Sequence, residues 1–151
     1  MQYTQDNDDE FHITSATTNH GWVHRIQPYT KNYEMFECPS EPASQDTRAG
    51  SLQVTDYYLN RNLAGKEHAQ IRWPQNTILL GEGEASASDY NCASFSLCFI
   101  NVEAKSVAES GNLRHLDGAN YAFVDGHAKW FKPHQIQSRR ISAGTVGFPI
   151  R

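Results

Sequence analysis

The chain has 151 residues, the length of one ordinary domain. Its 13 Lys and Arg face 17 Asp and Glu, a net charge of -4, so it lacks the basic excess that neutralises phosphates and nucleic acid is not an expected partner. Only 38% of residues are apolar, yet three Trp, seven Tyr and seven Phe can fill a core, which points to long loops rather than disorder.

Residues 1 to 19 are polar and hold the acidic cluster Asp6-Asn7-Asp8-Asp9-Glu10. Residues 1 to 6 read as the last turn of a helix. The acids read as the loop after it, because carboxylates at a helix C-terminus oppose the macrodipole. Trp22, Val23, Ile26 and Tyr29 recur at helical offsets and predict a short helix near 20 to 29, ended by Pro28. Met35-Phe36-Glu37-Cys38-Pro39-Ser40 reads as extended, then turned by Pro39 and Pro42, with a loop over 41 to 51. The β-formers between Ser51 and Asn60 predict a strand near 52–59. The apolar run Thr77-Ile78-Leu79-Leu80-Gly81-Glu82, bounded by turn residues, predicts a buried strand near 76–82. Residues 83 to 112 are rich in Ser, Ala, Asn and Gly around one apolar patch, Phe95 to Ile100. They read as an inserted loop, too long for a simple connection.

Asp125-Gly126 separates two β-rich runs, Ala119 to Val124 and His127 to Pro133. That dipeptide predicts a hairpin closed by a two-residue type I′ turn, with positive φ at both central positions and strands near 119–124 and 127–132. Tyr121, Phe123, Lys129 and Phe131 alternate as a half-buried sheet does. The tail from Gln135 onward reads as irregular. The expected architecture is a single α+β domain over 1–151. It comprises a helix remnant, a short helix and an antiparallel sheet of about four strands.

The longest apolar run, Leu97-Cys98-Phe99-Ile100, is far short of the about 20 residues of a spanning helix. Residues 1 to 6 have neither the basic start nor the apolar middle of a secretory leader. Cys38, Cys92 and Cys98 form no Cys-x-x-Cys pair, and three cysteines leave room for one disulfide and one thiol.

Four segments in order resemble bacterial type IV pilin-like proteins. Residues 1 to 9 resemble the end of the stalk helix. Gly21-Trp22 through Tyr29, then Phe36-Glu37-Cys38-Pro39-Ser40, is similar to the segment that follows it. Asp56-Tyr57-Tyr58-Leu59-Asn60 resembles a Ser-Tyr-x-x-Asn strand, with Asp56 for Ser. Arg114-His115, nine residues and then Asp125-Gly126 are similar to the C-terminal signature of the prepilin-type His-x(nine)-Asp-Gly family, which is related to the major pseudopilins of type II secretion.

The resemblance implies a pilin-like head and makes His115, Asp125, Gly126, Cys38, Pro39 and Asn60 its structural motif residues. It implies a filament subunit, periplasmic or extracellular, that works by assembly rather than catalysis. An apolar helix upstream of residue 1 would anchor it in the inner membrane before assembly. Its expected partners are other pilin or pseudopilin subunits and the assembly machinery. Residues 1–10 would then be the stalk end and an acidic loop. Outside the cytoplasm a disulfide is permitted. Cys92 with Cys98, or Cys38 with either, would form it.

Other readings of the same residues are weaker. His115 and Asp125 suggest an acid–base pair, but no Gly-x-Ser-x-Gly nucleophile accompanies them. Asp125 reads as a turn residue, and His115 as a tie between loop and hairpin. A metal-dependent hydrolase built on His115, Asp125 and His127 is the second alternative. Among His12, His20, His24, His68, His115, His127 and His134 no zinc spacing appears. Asp6, Asp8, Glu10, Asp89 and Asp117 are the oxygen donors on offer for a hard cation such as Ca²⁺. Thr17 stands where an EF-hand starting at Asp6 needs Glu. Trp22, Trp73 and Trp130 suggest a filament-borne carbohydrate- or surface-binding module, though core is the default for each. The acids at 6 to 10 and the pair Arg139-Arg140 suit charge contacts between neighbouring heads.

Overall fold

The computed structural model describes residues 2–11, 22–36, 38–40, 57–82, 99–100, 114–132, 135–137 and 146–147. The chain is α+β. Helix α1 is the single turn Gln2–Gln5, and α2 runs from Trp22 to Thr30. Strands β1 (Tyr57–Asn60), β2 (Ile78–Glu82), β4 (Ala119–Phe123) and β5 (Ala128–Phe131) pair antiparallel in the order β1-β2-β4-β5. These are the four expected strands. Residues 51–56, where the first strand was expected to begin, lie outside the described residues.

The sheet is larger than expected. Phe99–Ile100, from the segment read as an inserted loop, form β3 and pair parallel with the outer edge of β1. Among the described residues the sheet is therefore mixed and five-stranded. Added backbone bonds at an open edge explain why this apolar patch is used as a strand. The tail also contributes order: Ile136–Gln137 (β6) and Val146–Gly147 (β7) pair parallel in a second small sheet.

Other expectations are corrected locally. Pro28 does not end α2 but sits in its last turn. The helix closes two residues later, where Lys31 takes φ 55° and donates to the Gln27 carbonyl at 2.7 Å. A left-handed residue satisfying a terminal carbonyl is a C-terminal cap, and a proline in the final turn forfeits one bond without blocking it. Glu34–Phe36 form a 3-10 turn rather than an extended stretch. The acidic segment is more than a loop. Phe11 N–H donates to Lys66, Gly65 to Phe11 and His68 to Asp9, which lays residues 9–11 against 65–68. None of the described helices is long and apolar enough to cross a membrane.

The main core packs α2 against the sheet through Phe11, Trp22, Val23, Phe36, Leu59, Leu63, Ile71 and Val124. Trp22 meets Phe36 edge to face at 5.7 Å, and Tyr3 of α1 meets Tyr29 of α2 the same way at 5.7 Å. Along β4 buried and exposed residues alternate, as a half-buried strand should. On β5 they do not. Ala128, Lys129 and Trp130 are exposed and only Phe131 is buried, as befits an edge strand.

The Asp125-Gly126 bend forms a hairpin, but not the expected type I′ turn. Phe123 N–H donates to the His127 carbonyl at 2.8 Å and Gly126 N–H to the Phe123 carbonyl at 2.9 Å, so the loop is Val124-Asp125-Gly126. Only Gly126 has positive φ, at 94°, the pattern of a three-residue loop closed by a left-handed glycine. Val124 explains the longer loop. It is fully buried and donates its N–H to the Thr77 carbonyl at 3.0 Å, so the core draws it out of the β4–β5 ladder.

Candidate functional site

At the opposite end of β4 from this hairpin loop, three segments remote in sequence converge. The backbone reverses just before β4 through His115-Leu116-Asp117-Gly118. Here His115 and Gly118 exchange both backbone hydrogen bonds at 3.2 Å, and Leu116 and Asp117 take φ of 55° and 60°. Paired positive φ values and mutual bonds are those of a two-residue I′ reversal. The expected turn geometry thus occurs nine residues earlier than the Asp-Gly pair, and without a central glycine.

This reversal aims His115 at the end of β2. Its Nε2 lies 3.1 Å from Oε1 of Glu82 and 3.5 Å from Sγ of Cys38. Cys38, just after the 3-10 turn at Glu34–Phe36, is buried and carries a thiol. Glu82 is the last residue of β2 and only 2% exposed. The ligand-type atoms of all three residues lie within 4.8 Å of one another.

Sheet register supports the cluster. Gly81 pairs with Tyr121, so the next step places Glu82 across from Asn120, whose Nδ2 donates to Glu82 Oε1 at 2.9 Å. Asn120 in turn pairs with Trp130 on β5. The Trp130 indole N–H donates to the His115 carbonyl at 2.8 Å and fixes the reversal from its outer side. The other carboxylate oxygen of Glu82, Oε2, is buried and has no hydrogen-bond partner among the described residues. A buried carboxylate oxygen without one is costly.

Cys38 Sγ and Glu82 Oε1 both approach the same ring nitrogen of His115. A thiol–imidazole–carboxylate relay needs the acid on one nitrogen and the nucleophile on the other, so that the acid orients the base. Convergence on a single point suits a shared ion instead.

Asp125 and Gly126 lie elsewhere. Strand β4, with five residues, separates His115 from Asp125 by roughly 15 Å. Asp125 pairs with its neighbour His127 instead, accepting from both its backbone N–H and Nδ1, while the His127 ring stacks on Phe123 at 4.2 Å. Slight desolvation pushes the Asp125 carboxyl up, but the hydrogen bonds and charge of His127 outweigh it and hold it below the usual Asp value. The structure does not bring His115, Asp125 and His127 together as a hydrolase centre would require.

Asn60 is fully buried. Its Nδ2 donates to the Ile78 carbonyl at 2.7 Å and its Oδ1 accepts from Asn62 N–H at 3.1 Å, tying the end of β1 to the start of β2. Pro39 is exposed in the turn after Cys38. Asp6 and Asp8 are exposed after α1, Glu10 bridges to Glu67, and Asp117 is exposed in the His115 reversal. Among the described residues, the one group of three convergent ligands is Cys38, Glu82 and His115, and none of those oxygen donors belongs to it. Asp89, Cys92, Cys98, Arg139 and Arg140 lie outside the described residues.

The tryptophans divide. Trp22 is core, and Trp73 lies under the Arg72 guanidinium at 5.3 Å. Trp130 departs from the core expectation at 38% exposed, serving the reversal rather than the interior. An apolar cleft of about 270 Å³ lies between α1, α2 and the sheet, lined by Tyr3, Trp22, Ile26, Tyr29, Leu59 and Leu80 among others. Among the described residues that line it there is no carboxylate, histidine or cysteine. Sequence reasoning singled out Cys38 and His115 but missed Glu82 and Asn120. A carboxylate closing the otherwise apolar run Thr77 to Gly81 is the signal that marked Glu82.

Compared with protein-family models, curated proteins and solved structures, the chain matches none.

Proposed function

We propose that this chain is the head of a type IV pilus-like or type II pseudopilus-like filament subunit, acting by assembly rather than by catalysis. The observation that supports this reading best is the contact between Cys38 and His115. It joins the Cys38-Pro39-Ser40 segment to the Arg114-His115 start of the C-terminal signature, two of the stretches that carry the resemblance. Motif residues that hold loops to a sheet suit a head whose task is to keep a fixed outer surface. Asn60 and the Asp125–His127 pair serve in the same way.

In this reading α1 is the end of a stalk helix. The apolar part upstream anchors the subunit in the inner membrane and then fills the filament interior, where its burial drives polymerisation. The heads lie outside the cytoplasm and contact one another and the assembly machinery.

The test is to purify surface filaments from the producing cells and label them with an antibody raised against residues 1–151. Regular labelling along filaments is the expected result. An antigen found only in the cytosol, with bare filaments, overturns the proposal. Carbohydrate binding has less support, because Trp22 is in the core and the Trp130 indole N–H is already engaged by His115.

A further inference from the structure

We infer that Cys38, Glu82 and His115 form a binding site for one divalent transition-metal ion of the zinc class, with Asn120 as the residue that orients the carboxylate.

Two of the three ligand separations lie close to those such an ion needs, and the third is within 4.8 Å. Zinc bonds of about 2.3 Å to sulfur and about 2.0–2.1 Å to nitrogen and oxygen, set tetrahedrally, place neighbouring ligand atoms roughly 3.3–3.6 Å apart. The observed separations are 3.5 Å from Cys38 Sγ to His115 Nε2 and 3.1 Å from that nitrogen to Glu82 Oε1. The donor set also selects the class. Thiolate, imidazole and carboxylate suit zinc and its neighbours, whereas Ca²⁺ takes six to eight oxygens.

Charge closes the argument. On binding, the Cys38 thiol releases its proton to solvent and His115 keeps its single ring hydrogen on Nδ1, which frees Nε2. One thiolate and one carboxylate then balance the two positive charges, and a neutral centre is tolerable where Cys38 and Glu82 are buried. Glu82 Oε2, without a hydrogen-bond partner among the described residues, gains an electropositive neighbour. Asn120 on Oε1 holds the carboxylate as outer-shell donors hold metal ligands. His115 remains 27% exposed, so water has access to the fourth position. Three segments without a common element would be clamped together, and the site stands apart from the filament reading because the isolated chain is enough to form it.

The experiment titrates the purified 151-residue chain with Co²⁺ and follows the thiolate-to-cobalt charge-transfer absorption. Saturation at one equivalent, displacement by Zn²⁺ and no displacement by Ca²⁺ are expected. A Cys92→Ser, Cys98→Ser double variant retains the band, whereas Cys38→Ser abolishes it with the circular dichroism spectrum preserved. Outer-shell partners are worth about 10- to 100-fold in metal affinity, so Asn120→Ala falls in that range and His115→Asn and Glu82→Gln lose at least about 100-fold. If Cys38→Ser does not fold, the partly exposed His115→Asn supplies the same reading. A folded chain that gives no thiolate band overturns the inference. So does a band that persists in Cys38→Ser, one of undiminished affinity in His115→Asn, or one that vanishes with Cys92 and Cys98.

Discussion

Trp130 fills the space that a side chain at Gly118 would need. A Cβ placed on Gly118 would stand 2.5 Å from two carbons of the indole and 2.7 Å from the Phe131 carbonyl oxygen. The glycine is therefore required by close approach, and its small size lets the edge strand β5 cover the reversal that presents His115. Gly118→Ala should destabilise the fold by about 2 kcal/mol or more, at the upper part of the range for overpacking. Chemical denaturation reads the change. Adding Trp130→Ala to that variant should recover only part of the loss, because the Phe131 carbonyl belongs to the backbone. Full recovery would show that the indole alone sets the constraint.

Leu116 offers the opposite outcome. It is 90% exposed and has φ 55°, so it makes little packing contact while paying the steric penalty of a left-handed conformation. That penalty is about 1–2 kcal/mol for an ordinary L-residue and is smaller for Asn, whose side chain bonds locally. Leu116→Asn should stabilise the chain by about 1 kcal/mol, seen as a higher denaturation midpoint at unchanged slope. A lower midpoint would mean that the Leu116 side chain has a contact worth more than the strain.

Asn60 holds β1 to β2 through two hydrogen bonds at a site closed to water. Asn60→Ala leaves the Ile78 carbonyl and the Asn62 N–H to find other partners, each at about 1–3 kcal/mol if they find none. A loss of about 2–4 kcal/mol is expected by denaturant titration, with faster amide exchange at Ile78 and Leu80. A loss below about 0.5 kcal/mol would show that water replaces the side chain.

The Asp125–His127 pair has a defined pH signature. Because its carboxyl lies below the usual Asp value in the folded chain, the unfolded chain binds the proton more tightly. The pair's contribution is fully present above the ordinary Asp range, near pH 4, and is lost as pH falls through the lower folded value. Asp125→Asn should flatten the stability profile in that acidic window. Both side chains are more than a third exposed, so the effect is small and shrinks further in high salt. An acidic slope identical in both proteins would assign it to other carboxylates.

Local pattern was enough to anticipate α2, β2 and the β4–β5 hairpin, since helical offsets, a bounded apolar run and a Gly-containing bend are short-range properties. Trp22 and Val23 were legible as apolar positions on α2 for the same reason. The finer geometry of the hairpin was not. Val124 is one apolar residue among several in sequence, and only its burial beside Thr77 lengthens the loop to three residues. Phe99–Ile100 became a strand because β1 had an open edge to offer, a circumstance that no property of the dipeptide encodes.

The metal-type cluster depends on the same distinction. Cys38 and His115 carry recognisable chemistry in sequence, but Glu82 joins them through the register that sets Gly81 against Tyr121, and Asn120 through the next step of that ladder. Residue types and turn signals are local and can be read along the chain. Which side chains share a few ångströms is decided by strand pairing over long separations, where a slip of one residue would turn Glu82 to the other face of the sheet.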